Sequence, residues 1–114
     1  MKPFDLVPGR LYRLVSPTIL NFEPGIFLPV DKQVVMPGND IVLFVQQASK
    51  IEVLQHQNPQ DNIYYAFFQV VWRDRVGYVA VEVLDLAPDI CRWFSELSDD
   101  STKSFVFETK LDRQ

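Results

Sequence analysis

The sequence predicts an all-β fold, a small barrel with one C-terminal α-helix packed on it. Three observations carry this expectation. The stretch from Ile63 to Arg73 is dense in aromatic and β-branched residues, and a second such run, Val76 to Leu84, returns after a short turn. Seven of the eight prolines lie within the first 59 residues. Proline interrupts helices and central strands, so that region is divided into short strands and ordered loops. After Pro88 the period changes, and Ile90, Trp93, Phe94 and Leu97 recur at the spacing of one helix face.

In chain order, Leu11 to Val15 follows a Pro-Gly turn signal and reads as the first strand. Residues 16–30 hold three prolines and Gly25, and read as a long loop with extended arms. Met36-Pro37-Gly38-Asn39-Asp40 is a dense turn signal, and Ile41 to Gln46 follows as a strand. Ile51, Val53 and Leu54 suggest another, ended by the polar loop His56 to Asn62. Asp74-Arg75 closes a tight hairpin between the two long runs. Pro88 suits a first helical position, where its missing N–H costs nothing, and Asp89 suits the first turn. The barrel with its helix (about 88–98) spans residues 1–98. Residues 99–114 form either a short edge strand around Phe105-Val106-Phe107 or a flexible tail.

Ile63 to Arg73 is apolar on both faces. Tyr64, Ala66, Phe68, Val70 and Trp72 alternate with Ile63, Tyr65, Phe67, Gln69, Val71 and Arg73. A small barrel has one inside, so the outer face needs a cover of its own. Burying a large apolar side chain is worth roughly 1.5–3 kcal/mol, which makes a wet patch costly. The segment Pro88–Leu97 is the expected cover. If it packs elsewhere, the patch becomes a surface for a partner or for self-association.

The chain has 114 residues, 47% of them hydrophobic, and a formal net charge of −4. That is one domain with enough apolar surface for a core. The acidic balance works against non-specific nucleic-acid binding, which depends on Lys and Arg at phosphates. One Cys and one His leave no internal disulfide and no His-rich metal site. No apolar run approaches the roughly 18–20 residues of a bilayer span. Asp5, Pro8, Gly9 and Arg10 interrupt any leader-like stretch. The expected setting is soluble and cytoplasmic.

No catalytic arrangement stands out. His56 lies in the polar loop Gln55-His56-Gln57-Asn58 without a spaced carboxylate and nucleophile. Cys91 is expected to behave as a small apolar residue. Asp99-Asp100 reads as a solvated helix stop. The four glycines stand singly, at 9, 25, 38 and 77, and form no phosphate loop. Arg73-Asp74-Arg75 is the one local basic spot. With Tyr64, Tyr65 and Trp72 it could mimic an aromatic-plus-basic nucleic-acid surface.

The order of these signals resembles that of SH3 domains over residues 8–87. Leu11-Tyr12-Arg13-Leu14 precedes a long loop. Met36-Pro37-Gly38-Asn39-Asp40-Ile41-Val42-Leu43 resembles the hydrophobic-x-Gly-Asp step into a strand. Tyr64-Tyr65-Ala66 resembles the aromatics that open the third strand, and Gly77-Tyr78-Val79-Ala80 stands for Gly-Tyr-hydrophobic-Pro. Val83-Leu84-Asp85-Leu86 resembles the closing 3₁₀ turn and last strand. The resemblance implies an SH3-like barrel. In style the chain is also similar to small SH3-like barrel proteins of tailed cyanophages. Two departures matter. Arg10-Leu11-Tyr12-Arg13-Leu14 replaces Ala-Leu-Tyr-x-Tyr, and Ala80-Val81-Glu82-Val83 lacks the Pro and Tyr of the proline-peptide groove.

The expected function is a non-enzymatic protein–protein interaction module, plausibly a phage-encoded factor binding a host or virion protein in the host cytoplasm. No cofactor and no metal are expected. The expected partner-binding residues are Phe22, Glu23, Phe27, Tyr64, Tyr65, Arg73 and Arg75. In the SH3-like reading the 16–35 loop flanks a groove and sets Phe22-Glu23 against Tyr64-Tyr65. The alternatives are a nucleic-acid-binding barrel using the Arg73–Arg75 hairpin, and a structural virion or assembly subunit that forms a homo-oligomer.

Overall fold

The structure is a computed structural model that describes residues 4–26, 28–84 and 87–97. The strands are β1 (Leu11–Leu14), β2 (Thr18–Asn21), β3 (Gln33–Met36), β4 (Ile41–Leu54), β5 (Ile63–Trp72), β6 (Arg75–Leu84), β7 (Ala87–Pro88) and β8 (Phe94–Glu96). The single α-helical turn α1 (Ile90–Trp93) lies between β7 and β8. Neighbours pair in the order β3-β2-β6-β5-β4-β1-β8, with β7 on β6, and every pairing is antiparallel. The sheet curls into a half-barrel, so the all-β fold with one C-terminal helix is the one the sequence predicts.

The sheet is organised around β5. Its even-numbered residues Ala66, Phe68, Val70 and Trp72 point into the core. There they meet Val79 and Val81 of β6, Val42 and Phe44 of β4, Tyr12 and Leu14 of β1, and Leu20 of β2. The Phe44 and Phe68 rings lie 5.9 Å apart, and Tyr12 meets Phe94 edge-on at 6.4 Å. Such aromatic pairs add to what area burial alone contributes.

Several elements differ from the sequence expectation. The 16–30 loop holds a strand, and β2 pairs with β3 from Thr18↔Met36 to Asn21↔Gln33. The prolines bracket this hairpin and do not enter its paired residues. The two strands expected between Ile41 and Leu54 are one strand of 14 residues. Its pairing with β5 slips between Phe44 and Gln46 and again between Gln47 and Ile51. Such irregularities bend a strand, which lets one strand serve both halves of a curled sheet. The helix is shorter than the predicted 88–98, because Phe94 to Glu96 leaves it to pair with β1. That pairing supplies partners to the edge of β1, which a continued helix, bonded within itself, would leave open. The closing strand is therefore β8, beyond residue 87, and Val83-Leu84 ends β6 where a 3₁₀ turn was expected. Asp85, Leu86 and the expected strand or tail at 99–114 lie outside the described residues.

Asp40 joins three parts of the fold. Its Oδ2 accepts the Trp72 indole N–H at 2.8 Å and a hydrogen bond from Arg73 Nη2 at 3.3 Å. Its carbonyl accepts from Leu14 N–H at 2.8 Å. The β5–β6 turn is Arg73-Asp74, and Arg73 has φ 57. A left-handed non-glycine residue costs roughly 1–2 kcal/mol. The Arg73 guanidinium, 4.4 Å from the centre of the Trp72 ring and bonded to Asp40, offsets part of that cost.

Asp40→Ala is expected to leave the buried Trp72 N–H without an acceptor and to lower unfolding free energy by about 1–3 kcal/mol. Asp40→Asn keeps an acceptor oxygen and is expected to lose less; urea denaturation separates the two. Gly77 packs where a Cβ would lie 2.6 Å from Leu20 Cγ and 2.7 Å from the Asn21 carbonyl oxygen. Gly77→Ala therefore forces the β2 backbone away from β6, with an expected loss on the order of 1–3 kcal/mol in the same assay.

Candidate functional site

The odd-numbered residues of β5 face away from the core, and yet Phe67 is fully buried. It lies outside the main core cluster. Ile63, Tyr65, Gln69 and Val71 on the same face are half-buried. On the same face, beside Tyr65 and Ala80, lies a cleft of about 470 Å³. Pro17, Thr18, Ile19, Asn21, Ile26 and Gln33, from the β2–β3 hairpin and its approaches, form one wall. Leu54, Tyr65, Ala80 and Glu82 form the floor, and Arg92 and Trp93 of α1 the other wall.

The helix contributes to this face in a different way from the expected one. Ile90 and Phe94 go to the main core, and only Trp93 and its neighbour Arg92 reach the cleft. One turn of helix cannot aim four side chains at one face. The hairpin supplies most of the wall.

The cleft is mostly apolar with a few polar groups of fixed geometry. Asn21 is buried and donates from Nδ2 to the Tyr78 carbonyl oxygen at 3.3 Å. The Trp93 indole N–H is buried without a hydrogen-bond partner. Arg92 Nη1 lies 3.4 Å from Glu82 Oε2, and its guanidinium lies 5.7 Å from the centre of the Trp93 ring. Beside the cleft, Lys50 Nζ donates to the Pro24 carbonyl oxygen at 3.0 Å and lies 3.6 Å from Glu52. This contact ties the turn of the β2–β3 hairpin to β4.

The expected binding residues are dispersed. Tyr65 is in the cleft floor. Tyr64, next in sequence, points to the opposite face and is 45% exposed. Phe22 packs against the core, with the Arg75 guanidinium 6.0 Å from its ring centre. Glu23 is exposed and 3.8 Å from Lys32. Arg73 is engaged by Asp40 and Trp72, at the opposite end of β5 from Tyr64 and Tyr65. Phe27 lies outside the described residues. Thus Phe22 and Arg75 come together, Tyr65 lines the cleft, and the Phe22-Glu23 to Tyr64-Tyr65 juxtaposition does not form. Asn21 and Arg92 had no motif to mark them, Trp93 was marked only by the helical stripe, and Glu82 only by the departure from the SH3 pattern. On the cleft floor, Tyr65 was an expected binding residue and Ala80 stood at the aligned Pro of the SH3 resemblance.

Among the described residues no three His, Cys, Asp or Glu side chains are close enough to hold a metal ion. No helix among them is long and apolar enough to cross a membrane. Comparisons with protein-family models, curated proteins and solved structures found no match to this chain.

Lys50→Met is expected to free the 22–26 turn with little effect on global stability, since an exposed ion pair contributes only about 0–1 kcal/mol. Hydrogen exchange should report faster exchange for amides 22–26 with an unchanged denaturation midpoint.

Proposed function

We propose that the chain is a non-enzymatic protein-binding module of SH3-like type, and that the cleft between the β2–β3 hairpin and α1 is its binding site. The observation that carries this reading is the cleft itself. It is concave, mostly apolar, and has a few oriented polar groups, the composition of a recognition site. The strand order supports the SH3-like part, because a terminal strand (β8), the first strand (β1) and the three consecutive long strands (β4, β5, β6) lie side by side. The long β2–β3 excursion stands in place of the flanking loop. A host or virion protein as partner is part of the same proposal and rests on the sequence resemblance alone. The nucleic-acid reading has less support, because the Arg73 guanidinium is already committed to Asp40 and Trp72. Assembly into a homo-oligomer has no observation in its favour beyond scattered exposed apolar residues such as Val35 and Val76.

Affinity purification from the natural cell, followed by mass spectrometry, tests the reading with three substitutions. Ile19→Asp and Tyr65→Ala alter the cleft, whereas Val76→Asp alters an exposed strand residue that does not line it. The expected result is one partner retained by wild type and Val76→Asp and lost at least about tenfold with both cleft variants, a change of roughly 1.4 kcal/mol. Equal recovery by all four proteins would refute the cleft as the site.

A further inference from the structure

Resting on the proposed cleft, we infer that the Glu82–Arg92 pair makes it selective for an uncharged, extended peptide segment. Among the described residues these two are the only charged side chains that line the cleft, and they lie 3.4 Å apart. Arg92 is further held over the Trp93 ring. Lys50 lies 3.6 Å from Glu52 and Lys32 3.8 Å from Glu23, while Asp89 adds a carboxylate next to the pair, its N–H bonded to the Glu82 carbonyl oxygen. An incoming carboxylate must compete with Glu82 for Arg92, and an incoming ammonium or guanidinium must compete with Arg92 for Glu82. In either case one charge of the wall loses its partner, and like charge stands beside the ligand.

The rest of the lining suits a peptide without charge. Ile19, Ile26 and Leu54 offer apolar contact, and the Gln33 amide has the donor and acceptor that peptide groups match. The Glu82–Arg92 pair thus acts as a specificity determinant by withholding charge. Removing either member should install a preference. Glu82→Gln frees Arg92 for acidic peptides, and Arg92→Gln frees Glu82 for basic ones.

The test is parallel selection of a random dodecapeptide display library on the full chain, as wild type, Glu82→Gln and Arg92→Gln. Wild type is expected to enrich peptides whose contacting residues are uncharged. Their affinity should change less than about twofold between low and high salt, as screening affects only charged contacts. Glu82→Gln should enrich acidic peptides, and Arg92→Gln basic ones, about tenfold over wild type, with affinities that fall as salt rises. Acidic or basic peptides selected by wild type would overturn the inference and leave the binding reading standing. So would an unchanged selection by both folded variants. If a variant fails to fold, the salt dependence of wild-type peptides decides alone. Recovery of no peptide by any of the three would sink the binding reading together with the inference.

Discussion

The double-sided apolar character of β5 governs the rest of the architecture. Phe68, Val70 and Trp72 on one face and Phe67 on the other are all buried. A curled sheet has only one concave side, so its curvature can hide the first group and cannot hide Phe67. Desolvating Phe67 alone is worth roughly 1.5–3 kcal/mol. Beyond β6 the β2–β3 hairpin extends the same sheet and sends Leu20 and Met36 into the main core. Its attachment to β6 is slight, a single register pair Asn21↔Tyr78. Close packing does much of the work there. Gly77 has no side chain, so Leu20 and the Asn21 backbone can approach β6 closely.

Curvature has its own local causes. The irregular pairing of β4 with β5 lets Ile41 to Leu43 pair with β1 while Ile51 to Leu54 continues along β5. Asp40 precedes the bend and binds the Trp72 indole across the sheet. A buried indole N–H without an acceptor would oppose folding by about 1–3 kcal/mol, so this hydrogen bond favours the arrangement in which the β4 start and the β5 end coincide. The same carboxylate meets Arg73, which stabilises a turn residue in a backbone conformation it would otherwise avoid.

The features that were legible in the sequence are those with a period or a fixed chemistry. The β5–β6 hairpin was legible because aromatic and β-branched residues run unbroken from Ile63 to Trp72. The turn before β4 was legible because Pro37, Gly38 and Asn39 each favour turn geometry, and Asn39 does adopt a positive φ. Illegible features depended on contacts between distant segments. β2 is four residues between prolines, and only pairing with β3 and β6 makes it a strand. Phe94 matches a helical stripe and yet belongs to β8, because the open edge of β1 offers backbone partners that the helix would not. The cleft was illegible for the same reason: Asn21, Glu82 and Trp93 lie far apart in sequence and meet only once the β2–β3 hairpin has joined β6 and α1 has formed.

The position of the cleft follows from which elements flank it. A long helix laid on the convex face would seal it, as one stripe of four apolar side chains could fill the space above Tyr65. The chain instead assigns Ile90 and Phe94 to the core and flanks the face with two unequal elements. Two short flanking elements leave a gap, and the gap falls where neither has residues to spare, above Tyr65 and Ala80. Each wall is tied to the rest of the fold, one by Lys50 Nζ to the Pro24 carbonyl oxygen and the other by the Val15 N–H to the Trp93 carbonyl oxygen at 3.0 Å. The cleft is therefore a consequence of two separate segments, the β2–β3 hairpin and α1, flanking Tyr65, Ala80 and Glu82.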